Sequence, residues 1–155
     1  VALWRRLVVA GDAAQVAGQA YEAAACLQPA SGEEDDEAVL ERARRWLAAA
    51  VLLREMGGLA AARRLSEKSL RAHRAKLGDT QHPDTLTSIN HHGMLLKAQG
   101  DLAGAAPLLR EALAGRRARL GDTHPDMLTS ISNLGMLLKD QGDQAGATPL
   151  LRDAL

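Results

Sequence analysis

The chain has 155 residues, 46% of them hydrophobic, with 19 basic and 19 acidic side chains and no formal net charge. That apolar fraction excludes a mainly disordered chain and is enough for a domain with a core; the charge balance argues against nucleic acid or an anionic membrane as partner. Aromatic residues are nearly absent (Trp4, Tyr21 and Trp46, with no Phe), which argues against a β-sandwich or barrel, while helix formers dominate.

The N-terminal stretch "VALWRRLVVAGDAAQVAGQAYEAAACL" reads as a degenerate helix pair over 1–30. Its apolar run is too short for a signal peptide or a membrane span. Cys26 is the single cysteine, which excludes an intramolecular disulfide and fits a reducing compartment. The expected location is intracellular and cytoplasmic, with an organelle left open. The chain begins at Val1 without Met and ends at "LLRDAL" within an unfinished pattern, and so reads as a piece of something longer.

Residues 31–38 hold the acidic run "SGEEDDE". Ser31 followed three residues later by Glu34 has the form of a capping box, with further acids in a first helical turn. The "QPASG" before it makes this the longest connection and the best candidate for a hinge.

Three units follow at 39–79, 80–122 and 123–155. With Gln81 left out, 77–113 aligns with 120–155 over 36 positions, of which 28 are identical and 8 differ. The period is 42, or 43 across the extra glutamine. An earlier, diverged copy at 49–79 matches 92–122 with a shift of 43. Each copy reads as two helices. In the clearest, Leu86, Ile89, Gly93 and Leu96 form one helical stripe from about Pro83 to Gln99. "QGD" then breaks the helix, with Gly100 as its stop and Asp101 capping the next. The second helix carries Ala105, Leu108, Leu109, Ala112 and Leu113 inward and ends in Arg116, Arg117, Arg119 and Gly121. Pro107 and Pro149 fall inside their helices and predict a kink or a later helix start.

The spacing Ile89, His92, Gly93, Leu96, Ala105, Leu109, Ala112 resembles the tetratricopeptide pattern of a large residue followed at +3, +4, +7, +16, +20 and +23. Ile131, Leu134, Gly135, Leu138, Ala147, Leu151 and Ala154 match it again. Trp46, Ala49, Ala50, Leu53 and Ala62 match, with Ser66 and Ser69 as polar departures; Val1, Trp4, Val8, Ala17, Tyr21 and Ala24 match loosely. The 42-residue period and the wording "HPDTLTS" resemble the kinesin-light-chain type of tetratricopeptide repeat. The resemblance implies an all-α, right-handed α-solenoid of antiparallel helix pairs whose concave groove binds a peptide segment of a partner.

His-Pro-Asp also marks J-domains, but here it recurs at the repeat period. Pro83 and Pro125 suit a first helical position, His82 and His124 sit near the cap, and Asp84 and Asp126 complement the helix dipole. His91 and His92 are adjacent on a helix and point about 100° apart, which is wrong for one metal ion. His73, between Arg71 and Arg74, reads as solvated. No nucleophile–base arrangement, phosphate loop or HExxH motif occurs, so neither enzyme activity nor a cofactor or metal is expected.

If Ile89, Gly93 and Leu96 face the core, then Thr87, Asn90, Met94 and Lys97 face the groove. Their equivalents are Thr129, Ser132, Asn133, Met136 and Lys139, and, in the earlier copy, Arg44, Leu47, Val51 and Arg54. Arg54, Lys97 and Lys139 would line up one cation per repeat, with Met94 and Met136 as adaptable apolar surface. This pattern predicts an acidic peptide with an apolar anchor. Leu47 and Val51 are wrong for a carboxylate clamp. Two functions stay open: a peptide-binding adaptor, and a structural subunit of a larger assembly, with a J-type co-chaperone a distant third. Leu150, Leu151 and Leu155 call for more repeats or another subunit over that end.

Overall fold

The computed structural model describes residues 35–78, 82–120 and 124–153. Among the described residues there are six helices and no strands: α1 (Asp36–Glu55), α2 (Leu59–Leu77), α3 (Pro83–Ala98), α4 (Leu102–Leu120), α5 (Pro125–Asp140) and α6 (Gln144–Asp153). They form three antiparallel pairs, α1–α2, α3–α4 and α5–α6. Each second helix also packs on the first helix of the next pair, and first helices touch one another. The result is a right-handed α-solenoid. The expected helix pair at 1–30, the capping box at Ser31 and Glu34, and the joint at Gly121, Asp122 and Thr123 lie outside the described residues.

The recurrent short motifs act as helix punctuation. Imidazole Nδ1 of His82 accepts from the Asp84 N–H at 3.2 Å, and that of His124 from the Asp126 N–H at 3.1 Å. Proline follows at the first helical position, where no donor is missed. "QGD" ends one helix and begins another. Gly100, at φ 83°, takes the left-handed turn; its N–H donates to Lys97 O, and the Asp101 N–H donates to Leu96 O. Asp101 Oδ1 then accepts from the Gly104 N–H at 2.9 Å, and Asp143 repeats that bond to Gly146. The diverged pair has Gly57 and Gly58 here, so α2 starts without a side-chain cap.

α4 begins at Leu102 and runs through Pro107, so the later start does not occur; Pro149 lies inside α6 in the same way. Both prolines are exposed. So is Ala103, whose carbonyl would otherwise accept from position 107, which leaves that carbonyl within reach of water.

The larger core cluster joins α3 to α6 through Leu96, Leu109, Met127, Ile131, Leu134 and Leu137 among others. Leu53, Ala62, Leu65 and Leu95 hold α1 and α2 on α3. Met127 is fully buried like its counterpart Thr85, while Leu128 is half-buried against the cluster.

Two basic side chains are placed differently from the sequence expectation. His73 is 1% exposed, because Ala62, Ser66, Ser69 and His73 follow one helical stripe that faces α1 and α3. Arg116 is 6% exposed and reaches from α4 to Asp126 O (3.0 Å) and Ser130 Oγ (2.8 Å) of α5. The two serines that break the apolar pattern are buried and paired: Ser69 Oγ donates to Ala43 O at 2.8 Å, and Ser66 Oγ lies 2.7 Å from His92 Nδ1.

Glycine sets how closely the helices of a pair approach. A Cβ on Gly93 would stand 3.0 Å from Leu109, and one on Gly135 would stand 2.8 Å from Leu151. Leu109 is fully buried and has no room to move aside. Gly93→Ala gains about 1 kcal/mol of helix propensity and loses about 1–3 kcal/mol to overpacking. A net fall in the urea midpoint is therefore expected.

Candidate functional site

The thirteen side chains expected to face a partner all lie on the first helices of the pairs. α1 carries Arg44, Leu47, Val51 and Arg54; α3 carries Thr87, Asn90, Met94 and Lys97; α5 carries Thr129, Ser132, Asn133, Met136 and Lys139. Their surroundings divide them into straps and free surface.

The straps tie one first helix to the next. Arg44 Nε bonds Asp84 Oδ2 of α3 at 3.1 Å, and its Nη1 bonds Glu37 at 3.1 Å. Those hydrogen bonds, the one to Glu37 first, raise the guanidinium's pKa above its ordinary value. Lys97 Nζ lies 2.8 Å from Asp140 Oδ2 of α5, with the lysine side chain 19% exposed. Asn133 Nδ2 donates to Asn90 Oδ1 at 3.1 Å, and both amides are buried between α3 and α5.

The remaining positions form the open surface. Leu47, Val51 and Arg54 are half-buried and line a shallow recess with Ala50, Leu95 and His91. Met94, half-buried, packs on the larger core cluster; Met136 is 37% exposed and Lys139 is exposed. Thr129 is exposed, but its hydroxyl donates to Pro125 O at 3.0 Å. Thr87 and Ser132 are half-buried. The row of three cations is thus uneven. Asp140 neutralises Lys97, whereas the position that would face Arg54 in the same register is Ala98.

His91 and His92 diverge. His92 turns to Ser66 of α2, and His91 enters the recess beside Arg54. Burial first, then Arg54 and Arg116, lowers the pKa of His91 and so favours its neutral ring. On sequence spacing His91 is excluded as a metal ligand, and its place four residues after Thr87 on the same helical face is the signal that it lines the recess. Among the described residues no group of three or more His, Cys, Asp or Glu side chains converges on a metal position. None of the described helices is long and apolar enough to cross a membrane.

Elsewhere on α1 the Arg42 guanidinium lies 5.2 Å and Lys68 Nζ 5.6 Å from the centre of the Trp46 ring. The contact with Lys68 joins α1 to α2.

The family model for the tetratricopeptide repeat matches residues 41–118 and again 84–155. No curated protein matches the chain in sequence. Among solved structures, BtubC (BKLC) from P. vanneervenii superposes with a TM-score of 0.77 at 20% identity, covering 98% of this chain. The chain spans 58% of the length of that protein. A Podosopora anserina protein of the kinesin-light-chain type with nearly identical TPR-like repeats superposes at 0.60, with 18% identity and coverage of 98% and 90%. A single-substitution variant of that protein gives 0.62 at 20% identity, with coverage of 98% and 89%. Each of these shares the fold.

The strap between Asn90 and Asn133 makes a direct test of this geometry. Asn90→Leu leaves a buried amide without its partner and should cost about 1–3 kcal/mol. Asn133→Leu added to it should recover part of that loss. A double-mutant cycle in urea checks this; strictly additive losses would mean that the two amides are not coupled.

Proposed function

Because the chain belongs to the tetratricopeptide repeat family, whose repeats generally mediate protein–protein interaction, we propose that it is a non-enzymatic adaptor that holds a segment of a partner protein along α1, α3 and α5. The observation that carries this reading is the recess beside Arg54. Leu47 and Val51 offer apolar contact there over the buried Leu95, and Arg54 stands at its edge with no ion pair among the described residues. Met136 and the exposed Lys139 repeat that chemistry two helix pairs along.

The segment that fits such a surface has an apolar anchor flanked by carboxylates. The anchor packs over Leu47 and Val51 at the mouth of the shallow recess, and a carboxylate reaches Arg54. A second carboxylate reaches Lys139. Lys97 contributes little, because binding there would have to displace Asp140.

Fluorescence-anisotropy titration with acidic peptides, each carrying one apolar residue, tests this at low and high salt. Saturable, salt-sensitive binding is expected. Arg54→Glu plus Lys139→Glu should weaken it by about tenfold or more, equivalent to a loss of about 1.4 kcal/mol. Lys97→Ala should weaken it far less. No saturable binding, or no response to the double charge reversal, overturns the proposal.

A further inference from the structure

The repeat register pairs each contact across the α2–α3 junction with one across α4–α5. His73 Nδ1 lies 2.7 Å from Ser88 Oγ; their equivalents, Arg116 and Ser130, meet at 2.8 Å. Ser66 Oγ lies 2.7 Å from His92 Nδ1; their equivalents are Leu109 and Leu134, buried together in one apolar cluster. The same architecture therefore uses two imidazoles at one junction, and a permanent cation with a leucine pair at the other. We propose that the α2–α3 junction is a proton-sensitive hinge, closed while His73 and His92 are neutral, and that the α4–α5 junction lacks this response.

The surroundings of the two rings favour the neutral form. His73 Nε2 is buried with no hydrogen-bond partner. A neutral ring that donates from Nδ1 to Ser88 leaves only a lone pair at Nε2. A second proton would place an N–H⁺ where no acceptor meets it. The charged groups facing His73 are Arg44 from α1, with Asp84 and His82 at the start of α3. Of these only Asp84 favours the charged ring, and Arg44 already holds that carboxylate at 3.1 Å. His92 faces Glu67, Arg63 and Arg74 from α2; Arg74 pairs with Glu111 of α4 at 2.8 Å. For both rings burial is the leading cause, and the pKa moves down.

The direction of the pH effect follows. Above the ordinary histidine value of about 6.5, the folded and unfolded chains are equally neutral at these positions and the junction is at full strength. Below it the opened chain takes up protons that the closed junction refuses. Each histidine then lowers the closing constant by up to about tenfold per pH unit, until the folded pKa is reached. In a repeat array, where each pair contacts only its neighbours, such a loss stays local.

Hydrogen exchange of the whole chain, followed by mass spectrometry above and below pH 6.5 and corrected for intrinsic rates, reads both junctions at once. On acidification α1 and α2 should lose protection by tenfold or more relative to α4 and α5. The variant Ser66→Leu, His73→Arg, His91→Asn and His92→Leu copies the second junction into the first, including Asn133 at the place of His91, whose buried ring would otherwise respond in the same direction, and should abolish the difference. Should that variant not fold, NMR titration of the unaltered protein decides: both imidazoles should stay neutral well below pH 6.5. Equal loss of protection at both junctions, no loss at either, or imidazoles that titrate at the ordinary value overturn the proposal.

Discussion

Leu109 rests where Gly93 has no side chain, and Leu151 rests the same way over Gly135. This contact fixes how close the two helices of a pair stand. The pair then presents one apolar stripe to the pair before it and another to the pair after it, and neither stripe can be covered from within. Stacking is therefore obligatory, and its repeat of 42 or 43 residues brings equivalent positions of successive first helices side by side. The ties 43 residues apart, Lys97 to Asp140 and Asn90 to Asn133, follow from that register, as does the continuous surface of α1, α3 and α5.

The bonds that join repeats are partly fixed and partly varied. Gln99 Nε2 donates to Leu59 O, and Gln141 Nε2 to Leu102 O, each at 3.1 Å, so the amide at the end of every "QGD"-type first helix reaches back to the preceding second helix. Around that constant tie the side chains change, from serine and histidine at one junction to leucine and arginine at the next. Successive copies thus keep their shape while differing in polarity, which lets one solenoid hold junctions of unequal strength.

Fold class was legible because the repeat prints its punctuation twice. His-Pro-Asp, Gln-Gly-Asp and the stripe through Ile89, Gly93 and Leu96 each have a local cause, and each is found in the role assigned to it. The burial of His73 and Arg116 was not legible, because both are polar and their partners, Ser88 and Ser130, lie on the next repeat. The groove-side positions fell on the first helices, yet sequence spacing could not separate free cations from paired ones. Lys97 and Arg54 occupy equivalent places, and only the substitution of Ala98 by Asp140 in the following copy distinguishes their surroundings. Asn90 and Asn133 looked like adaptable groove amides for the same reason; the bond between them crosses a repeat boundary.

The proposed adaptor role requires a partner segment to lie on the first-helix surface. Backbone amide chemical-shift mapping with the tightest-binding acidic peptide tests this most directly. The largest changes should fall on α1 around Leu47, Val51 and Arg54, on α3 around His91, and on α5 near Met136 and Lys139, with α2 and α4 little affected. Changes concentrated on the outward residues of α2 and α4, with the recess beside Arg54 unmoved, would contradict it.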